Sequence, residues 1–499
     1  MTDTAPRSKA GKDKTSALSR FFAKFGVLKD AIPELWMAFA IKCVVIAAYA
    51  LTNSTIVLWL HSDLGYTDQQ ALPLVAAWSI LMTAITLIVG SLTDVMGMRR
   101  TLFLATAFCI FARFIMVVST ARWLALAGLV PLAIGEALSG PVLVAAARRY
   151  SNTRQRSMSF SMIYAMMNVG FLIAAWLFDH VRKGLGEHGH FNFLGLQIST
   201  YRTLFLVSLA MEVILLPMIY FLREGAEATD DGVKIQPRKV KPQGQTLIRS
   251  IGLTITDAFR ETIRLFTTLL GESGFYRLLA FLVLIAFIKL IYRQMDYVYP
   301  TFGIRELGPG APIGILWGMN SLLILVLAPI VGALTQKYSA YSMVILGGLI
   351  SSASIFIMAM PPAWFESMAN GAFGNIVGHW YLGLKGGINP YYVMIALFVV
   401  VLSIGESFYS PRVYEYAAAI APKGQEASYG ALSYMPFLLA KLLIGVFSGK
   451  SLMRYCPETG PRHSETLWLI IALLSLVAPI GLVGLRRFIR VHEAGRPEA

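Results

Sequence analysis

IGESFYSP, Ile404 to Pro411, sets a carboxylate, Glu406, in the middle of an apolar run, and the same pattern occurs earlier as IGEALSGP, Ile134 to Pro141. Two copies of one pattern imply two halves built alike. A second echo agrees: IVGSLT, Ile88 to Thr93, returns as IVGALT, Ile330 to Thr335. Gly and Pro recur at matching places in membrane-length segments, so the chemistry is expected near the seam between the halves.

Outward from these stretches, the composition sets the class. Of 499 residues, 56% are hydrophobic and 14% charged, more apolar surface than one water-soluble core of this size needs. Runs of roughly 20 apolar residues, each able to cross ~30 Å of hydrocarbon, lie at 33–60, 71–93, 101–118, 123–147, 157–178, 201–222, 276–300, 311–335, 339–360, 391–417, 427–449 and 466–485. Backbone groups in lipid must be satisfied within their own segment, so these are expected to be helices. The expected fold is an all-α polytopic membrane protein with twelve transmembrane helices in two six-helix halves. The chain then divides into a basic tail at 1–30, a bundle at 31–222, a linker at 223–275, a second bundle at 276–488 and a tail at 489–499.

The formal charge of +15 is spread as a membrane protein would spread it. Basic residues crowd the amino-terminal tail and recur at Arg99-Arg100, Arg148-Arg149 and Arg486-Arg487, in segments that fall on one face. Positive residues favour the inner side, so both termini are expected to be cytoplasmic, in the plasma (inner) membrane. This spread gives nucleic acid little weight as a partner, whereas membrane lipid is expected to be one. From Leu247 to Leu270, apolar residues at helical spacing between Arg249, Arg260 and Arg264 read as an amphipathic helix lying on the inner surface.

Enzyme and metal chemistry find little support. Cys43 and Cys109 lie inside apolar runs and Cys456 in a loop, which makes neither a disulfide framework nor a metal set. His188-Gly189-His190 offers two imidazoles, too few to complete a metal site. No nucleotide loop or Ser-His-Asp order occurs, so no cofactor and no enzymatic activity are expected, and the chain is expected to be a monomer.

GSLTDVMGMRR, Gly90 to Arg100, resembles the cytoplasmic-loop motif of the major facilitator superfamily, through Gly90, Asp94, Gly97, Arg99 and Arg100. Its second-half copy, GALTQKYS, has Gln336 in place of the acid, so only the first is expected to latch a gate by charge. Within that superfamily, several stretches resemble the proton-dependent oligopeptide transporter family. They are PELWMAF at Pro33, SMIYAMMNVG with Tyr164, Asn168 and Gly170, MNSLLILVLAP with Asn320 and Pro329, GESFYSP with Glu406, Ser410 and Pro411, and Ala421-Pro422. The resemblance implies proton-driven import of small peptides and associates Glu406 with the substrate amine. The chain departs from that family at two places. In the first-helix Glu-x-x-Glu-Arg only Glu34 remains, followed by Met37 and Ala38, and the fourth-helix Lys-Pro is Gly140-Pro141.

A charge at a helix centre costs ~2.5–3.5 kcal/mol on insertion scales, so it persists when paired, hydrated or used. The candidates are Lys42, Arg113, Glu136, Glu212, Lys289, Arg293, Asp296, Glu406, Arg412, Glu415 and Lys441. Most fall on spans one, four, seven and ten, which line the cavity in the superfamily that the chain resembles. Lys289, Arg293 and Asp296, spaced i, i+4, i+7, share one face and are expected to pair in sequence. Glu136 and Glu406 would place one carboxylate on each half. Lys42 is expected to stand in for the missing arginine, and with Arg412 and Lys441 to hold an anionic group. Arg113 and Glu212 read as structural or as a mutual pair. Asn168 and Asn320 either line the cavity or hydrogen-bond between helices.

The expected function is secondary active transport of a small polar solute, peptide or amino-acid-like, by alternating access with proton coupling. The alternatives are an anion facilitator or antiporter that uses the cavity Lys/Arg set, and a transporter-like receptor that moves nothing.

Overall fold

The computed structural model describes residues 26–86, 96–152, 154–230, 232–235, 273–335, 338–420 and 435–490, with isolated positions between 256 and 271. Gly90, Asp94, Gln336, Ala421-Pro422, most of the amphipathic segment, most of the first tail and the end of the second lie outside the described residues, as does the side chain of Glu415.

The first six long helices are α1 (Pro33–Ser62), α2 (Asp68–Thr86), α3 (Met98–Val118), α4 (Leu129–Arg149), α5 (Arg156–Leu185) and α6 (Thr200–Tyr220). After them come α7 (Ser273–Tyr297), α8 (Ile313–Leu334), α9 (Ala340–Met358), α10 (Pro390–Ile420), α11 (Met435–Tyr455) and α12 (Ser464–Gly484). Among the described residues, eleven helices are long and apolar enough to cross a membrane. The twelfth, α11, has 21 residues and carries Lys441, Lys450 and Arg454. The fold is therefore a polytopic bundle of twelve transmembrane helices in two six-helix halves, and its ends share one face, called here the terminal face. Local chemistry sets several boundaries. Pro33 opens α1, where its missing N–H costs nothing. The hydroxyls of Ser199 and Ser339 accept from the backbone N–H of Arg202 and Ser342, capping α6 and α9.

The repeat that opens the sequence has a packing cause. A Cβ on Gly135 would lie 2.7 Å from the Ala105 carbonyl oxygen, so α4 touches α3 backbone there. A Cβ on Gly405 would lie 2.7 Å from the Ser351 amide nitrogen, so α10 touches α9 in the same way. Small residues at such contacts let membrane helices approach closely. The Gly of each Ile-Gly-Glu is thus a close helix contact.

Between the halves, α2 packs on α11 and α5 on α8. A buried core crosses this seam through Trp59, Phe205, Tyr297, Phe302 and Trp468. A second core, with Leu35, Phe39, Leu102, Leu138 and Leu215, fills the amino-terminal half.

Some elements go beyond the periodicity. After Val298, α7 continues as a short helix, Tyr299–Leu307. An antiparallel hairpin, β1 (His190–Phe193) with β2 (Leu196–Ser199), joins α5 to α6. Its tip, Leu194 and Gly195, takes positive φ at both residues, as a two-residue hairpin turn requires. A second hairpin, β3 (Ala226–Thr229) with β4 (Gly232–Ile235), follows α6.

Candidate substrate and proton site

In the carboxyl-terminal half, α7, α8 and α10 assemble a polar cluster. The Asn320 side-chain amide donates to Glu406 Oε2 at 3.1 Å and to Ser403 Oγ at 3.0 Å. Lys289 lies close enough to Glu406 for their charges to attract. Its ammonium is 4.8 Å from the centre of the Tyr409 ring and 5.2 Å from that of Tyr292, where the electron-rich ring faces hold a cation. Arg293 pairs with Asp296 at 2.8 Å. The expected series Lys289–Arg293–Asp296 therefore divides. Positions seven apart are about 10 Å apart along a helix axis, and α10 brings Glu406 to Lys289 instead.

Lys441 on α11 reaches across the seam to α2. It donates to the Ser79 carbonyl at 3.3 Å and to the Thr83 hydroxyl at 3.2 Å, and it also feels the charge of Asp296. Tyr297 shares a 2.9 Å hydrogen bond with the Ser79 hydroxyl. Tyr49 on α1 interacts electrostatically with Glu136 on one side and with Arg293 and Asp296 on the other, which sets it between the charged groups of the two halves.

In the amino-terminal half the buried Arg113 guanidinium is shared. It donates to Glu136 Oε1 at 2.6 Å, to Glu212 Oε1 at 3.0 Å and to Thr52 Oγ1 at 3.2 Å. Arg113 and Glu212 are indeed paired, but Glu136 joins them, and Lys42 acts electrostatically on Glu136. The matching carboxylates of the repeat therefore each have a lysine nearby but unlike hydrogen-bond partners: Glu406 accepts from the Asn320 amide, whereas Glu136 accepts from the Arg113 guanidinium. The Cys109 sulfur and oxygens of Glu136 and Glu212 lie within 4.8 Å of one another, as a metal site would require. The Arg113 cation bonded to both carboxylates opposes a metal ion there.

The other expected residues have different surroundings. Lys42, Arg412 and Lys441 take separate partners rather than one shared anion position: Arg412 donates to Thr335 Oγ1 at 3.0 Å, at the end of α8. Glu34, in the first turn of α1, pairs with Arg223 beyond α6, so it ties helix ends together at the terminal face. Asn168 donates to the Tyr164 carbonyl of its own helix at 3.0 Å. In the described part of the loop before α3, Gly97 has φ 85°. The Arg99 guanidinium lies 5.0 Å from the centre of the Tyr220 ring, and Arg100 lies 3.6 Å from Glu224.

A further set, at the face opposite the termini, was not anticipated. Asp179 on α5 accepts from the first backbone amides of α8, Gly314 at 2.9 Å and Ile315 at 2.6 Å, a negative charge set at a helix amino terminus. Arg182 pairs with Asp179 and Glu187 and donates to the Ala311 carbonyl at 3.2 Å. Glu187 also accepts from the Gly310 amide at 3.1 Å and from Tyr201 at 2.8 Å. Burial pushes the Glu187 carboxyl up, but the hydrogen bonds and charge of Arg182, with the bonds from Gly310 and Tyr201, hold it below the usual carboxylate range. Asp68 pairs with Arg305 at 2.8 Å across the same face. Asp179 and Arg182 sit just past the expected end of the fifth span at 178; their i, i+3 spacing is the signal that the sequence offers.

No curated protein matches the sequence. The Major Facilitator Superfamily model matches residues 38–378. Among solved structures, a POT family transporter in complex with 5-aminolevulinic acid is similar, with TM-score 0.67 at 15% identity, covering 91% of this chain and 96% of that one. A bacterial homologue of the human drug peptide transporters has TM-score 0.62 at 16% identity, covering 91% and 98%. An auto-inhibited POT family peptide transporter has TM-score 0.63 at 15% identity, covering 94% and 99%. With twelve spans in two halves and charged groups gathered at their seam, the chain belongs to the Major Facilitator Superfamily, whose members are secondary transporters of small solutes.

Proposed function

We propose that the chain moves a small polar solute, peptide or amino-acid-like, by alternating access coupled to protons. It acts as a transporter rather than an enzyme. The observation that carries this reading is the cluster of Glu406, Asn320 and Lys289, which offers an acid, an amide and an amine at one place. Such groups recognise the charged ends of an amino acid or short peptide by hydrogen bonding. A structural neighbour is described in complex with 5-aminolevulinic acid, an amino acid, which fits this chemistry.

In this reading residues 31–222 and 276–488 are the halves, and the linker at 223–275 and both tails are cytoplasmic, in the plasma (inner) membrane. The seam contacts of Asp179, Arg182, Glu187 and Arg305 hold the outer face closed in this conformation. Asp296, with Arg293 and Lys441, responds to the proton or the substrate: neutralising an acid frees its cation to change partner, which biases one access state. Gly90, Asp94, Gly97, Arg99 and Arg100 latch the inner gate, Lys42 and Asn168 border the cavity, and Glu34 and Arg412 hold its inner rim. The protein functions as a monomer in lipid.

Reconstitution tests the proposal. Vesicles with an imposed pH gradient are screened with labelled peptides, amino acids and organic anions. Uptake that needs the gradient and is abolished by Glu406→Gln supports it. Gradient-independent exchange of anions replaces it with the facilitator reading, and binding without flux leaves a receptor.

A further inference from the structure

The cluster on α3, α4 and α6 has one guanidinium for two carboxylates. Arg113 is fully buried, and Glu212 and Glu136 are almost so, at 3% and 8% exposed. Arg113 gives each carboxylate a single hydrogen bond and spends its Nε on Thr52. The two acids differ in what else supports them. Glu136 has the shorter bond to Arg113, at 2.6 Å, and the charge of Lys42 from α1. Glu212 has the longer bond, at 3.0 Å, and its other charged neighbour is Glu136.

Every element packed on this cluster bears on it. α1 contributes Lys42 and Tyr49, and α3 contributes Arg113 and Cys109. Among the described residues, α2 and α5 carry their charges only near their ends, at Asp68, Arg156, Asp179, His180, Arg182 and Lys183. Two carboxylates that share one site do not ionise as freely as one. Lys42 supports Glu136, so the acid left with only a share of Arg113 is Glu212, and that is where there is room for a proton.

We propose that Glu212 is an exchangeable proton site of the amino-terminal half, with Arg113 as the switch that reports its state to Lys42. The proton arrives from cavity water through Glu136 and forms an O–H bond on the Glu212 carboxyl; on release it returns to water by the same route. No other bond is made or broken, and Arg113 keeps its charge throughout. When Glu212 is neutral, Arg113 turns its full attraction to Glu136, because a charged acceptor outcompetes a neutral one. Glu136 then holds Lys42 less strongly, so Lys42 presents its positive charge to the cavity. Proton binding and capture of an anionic substrate group thereby favour each other, as linkage between two sites requires. The role in transport rests on the proton coupling proposed above, but the proton site itself does not.

Infrared difference spectroscopy of the purified protein, titrated from alkaline to acidic pH, reads the C=O stretch of a protonated carboxyl without any substrate. The expected result is a band gained on acidification that is lost in Glu212→Gln and that appears only at lower pH in Glu136→Gln, where Arg113 is left to Glu212 alone. A spectrum in which Glu212→Gln removes no band overturns the proposal. If Glu212→Gln does not fold, Glu212→Asp must shift the band, and an unshifted band overturns it equally. Uptake assays separate the two claims. Gradient-driven uptake in a wild-type protein that lacks the Glu212 band overturns this inference alone. The Glu212 band without driven uptake upholds the site and removes the transport reading.

Discussion

Replacing Asp179 by Ala perturbs the seam between α5 and α8 at one well-defined contact. The carboxylate accepts from two backbone amides at the start of α8, at 2.9 and 2.6 Å, and from Arg182 at 3.2 Å. Hydrogen bonds to a charged group contribute ~1.5–3 kcal/mol each, and loss of a helix cap costs ~0.5–2 kcal/mol. Arg182 keeps Glu187 and the Ala311 carbonyl, so its own loss is small. Water can reach the freed amides once the seam loosens, which offsets part of the remainder. The closed face should therefore weaken by ~2–4 kcal/mol, roughly two orders of magnitude in the opening equilibrium. The reporter is Ala311→Cys, a position 5% exposed beside Arg182, in a background without the native cysteines. Its labelling by a water-soluble maleimide measures opening when reclosing is fast. The Asp179→Ala background should label faster by about that factor. A folded double variant that labels at the unperturbed rate would refute the reasoning, because Asp179 would then contribute nothing to holding the halves together.

Other expectations follow from single contacts. Gly405→Val forces a side chain into the Ser351 backbone, so the melting temperature should fall, by an overpacking cost of ~1–3 kcal/mol, whereas Gly140→Ala, with nothing near its Cβ, should melt as the parent does or slightly higher. Arg113→Leu leaves two buried acids without their cation and should cost ~3–5 kcal/mol, seen as loss of folded protein on gel filtration. Glu187 has a folded pKa below its unfolded value, so its stabilisation is complete above ~4.3 and is lost as pH falls through the lower folded value. Melting curves should show this acid loss in the parent and a flatter slope in Glu187→Gln.

The sequence made the fold legible because membrane-length apolar runs and their internal repeat have few other solutions. Glu406 was legible too, since a carboxylate in such a run needs a partner, and Asn320 was already a candidate. Partner choice was not. Lys289 was expected to face Asp296 along its own helix, but only the packing of α10 on α7 shows that Glu406 is nearer. Glu136 looked equivalent to Glu406 because repeat symmetry specifies backbone positions; Arg113, on a helix outside the expected cavity set, takes it instead. The seam lock was hidden for a different reason: Asp179 caps α8, and a cap supplied by a distant helix leaves no local pattern in the sequence of the helix it caps.

The central claim is that Glu406 and Lys289 form the substrate cluster of a proton-coupled transporter. It is tested most directly by gradient-driven accumulation, in vesicles, of the solute identified by the screen, comparing the parent with Glu406→Gln and Lys289→Gln. The account predicts accumulation in the parent that collapses when the gradient is dissipated and is lost in both variants. Accumulation that persists in Glu406→Gln at the parent's rate would contradict it.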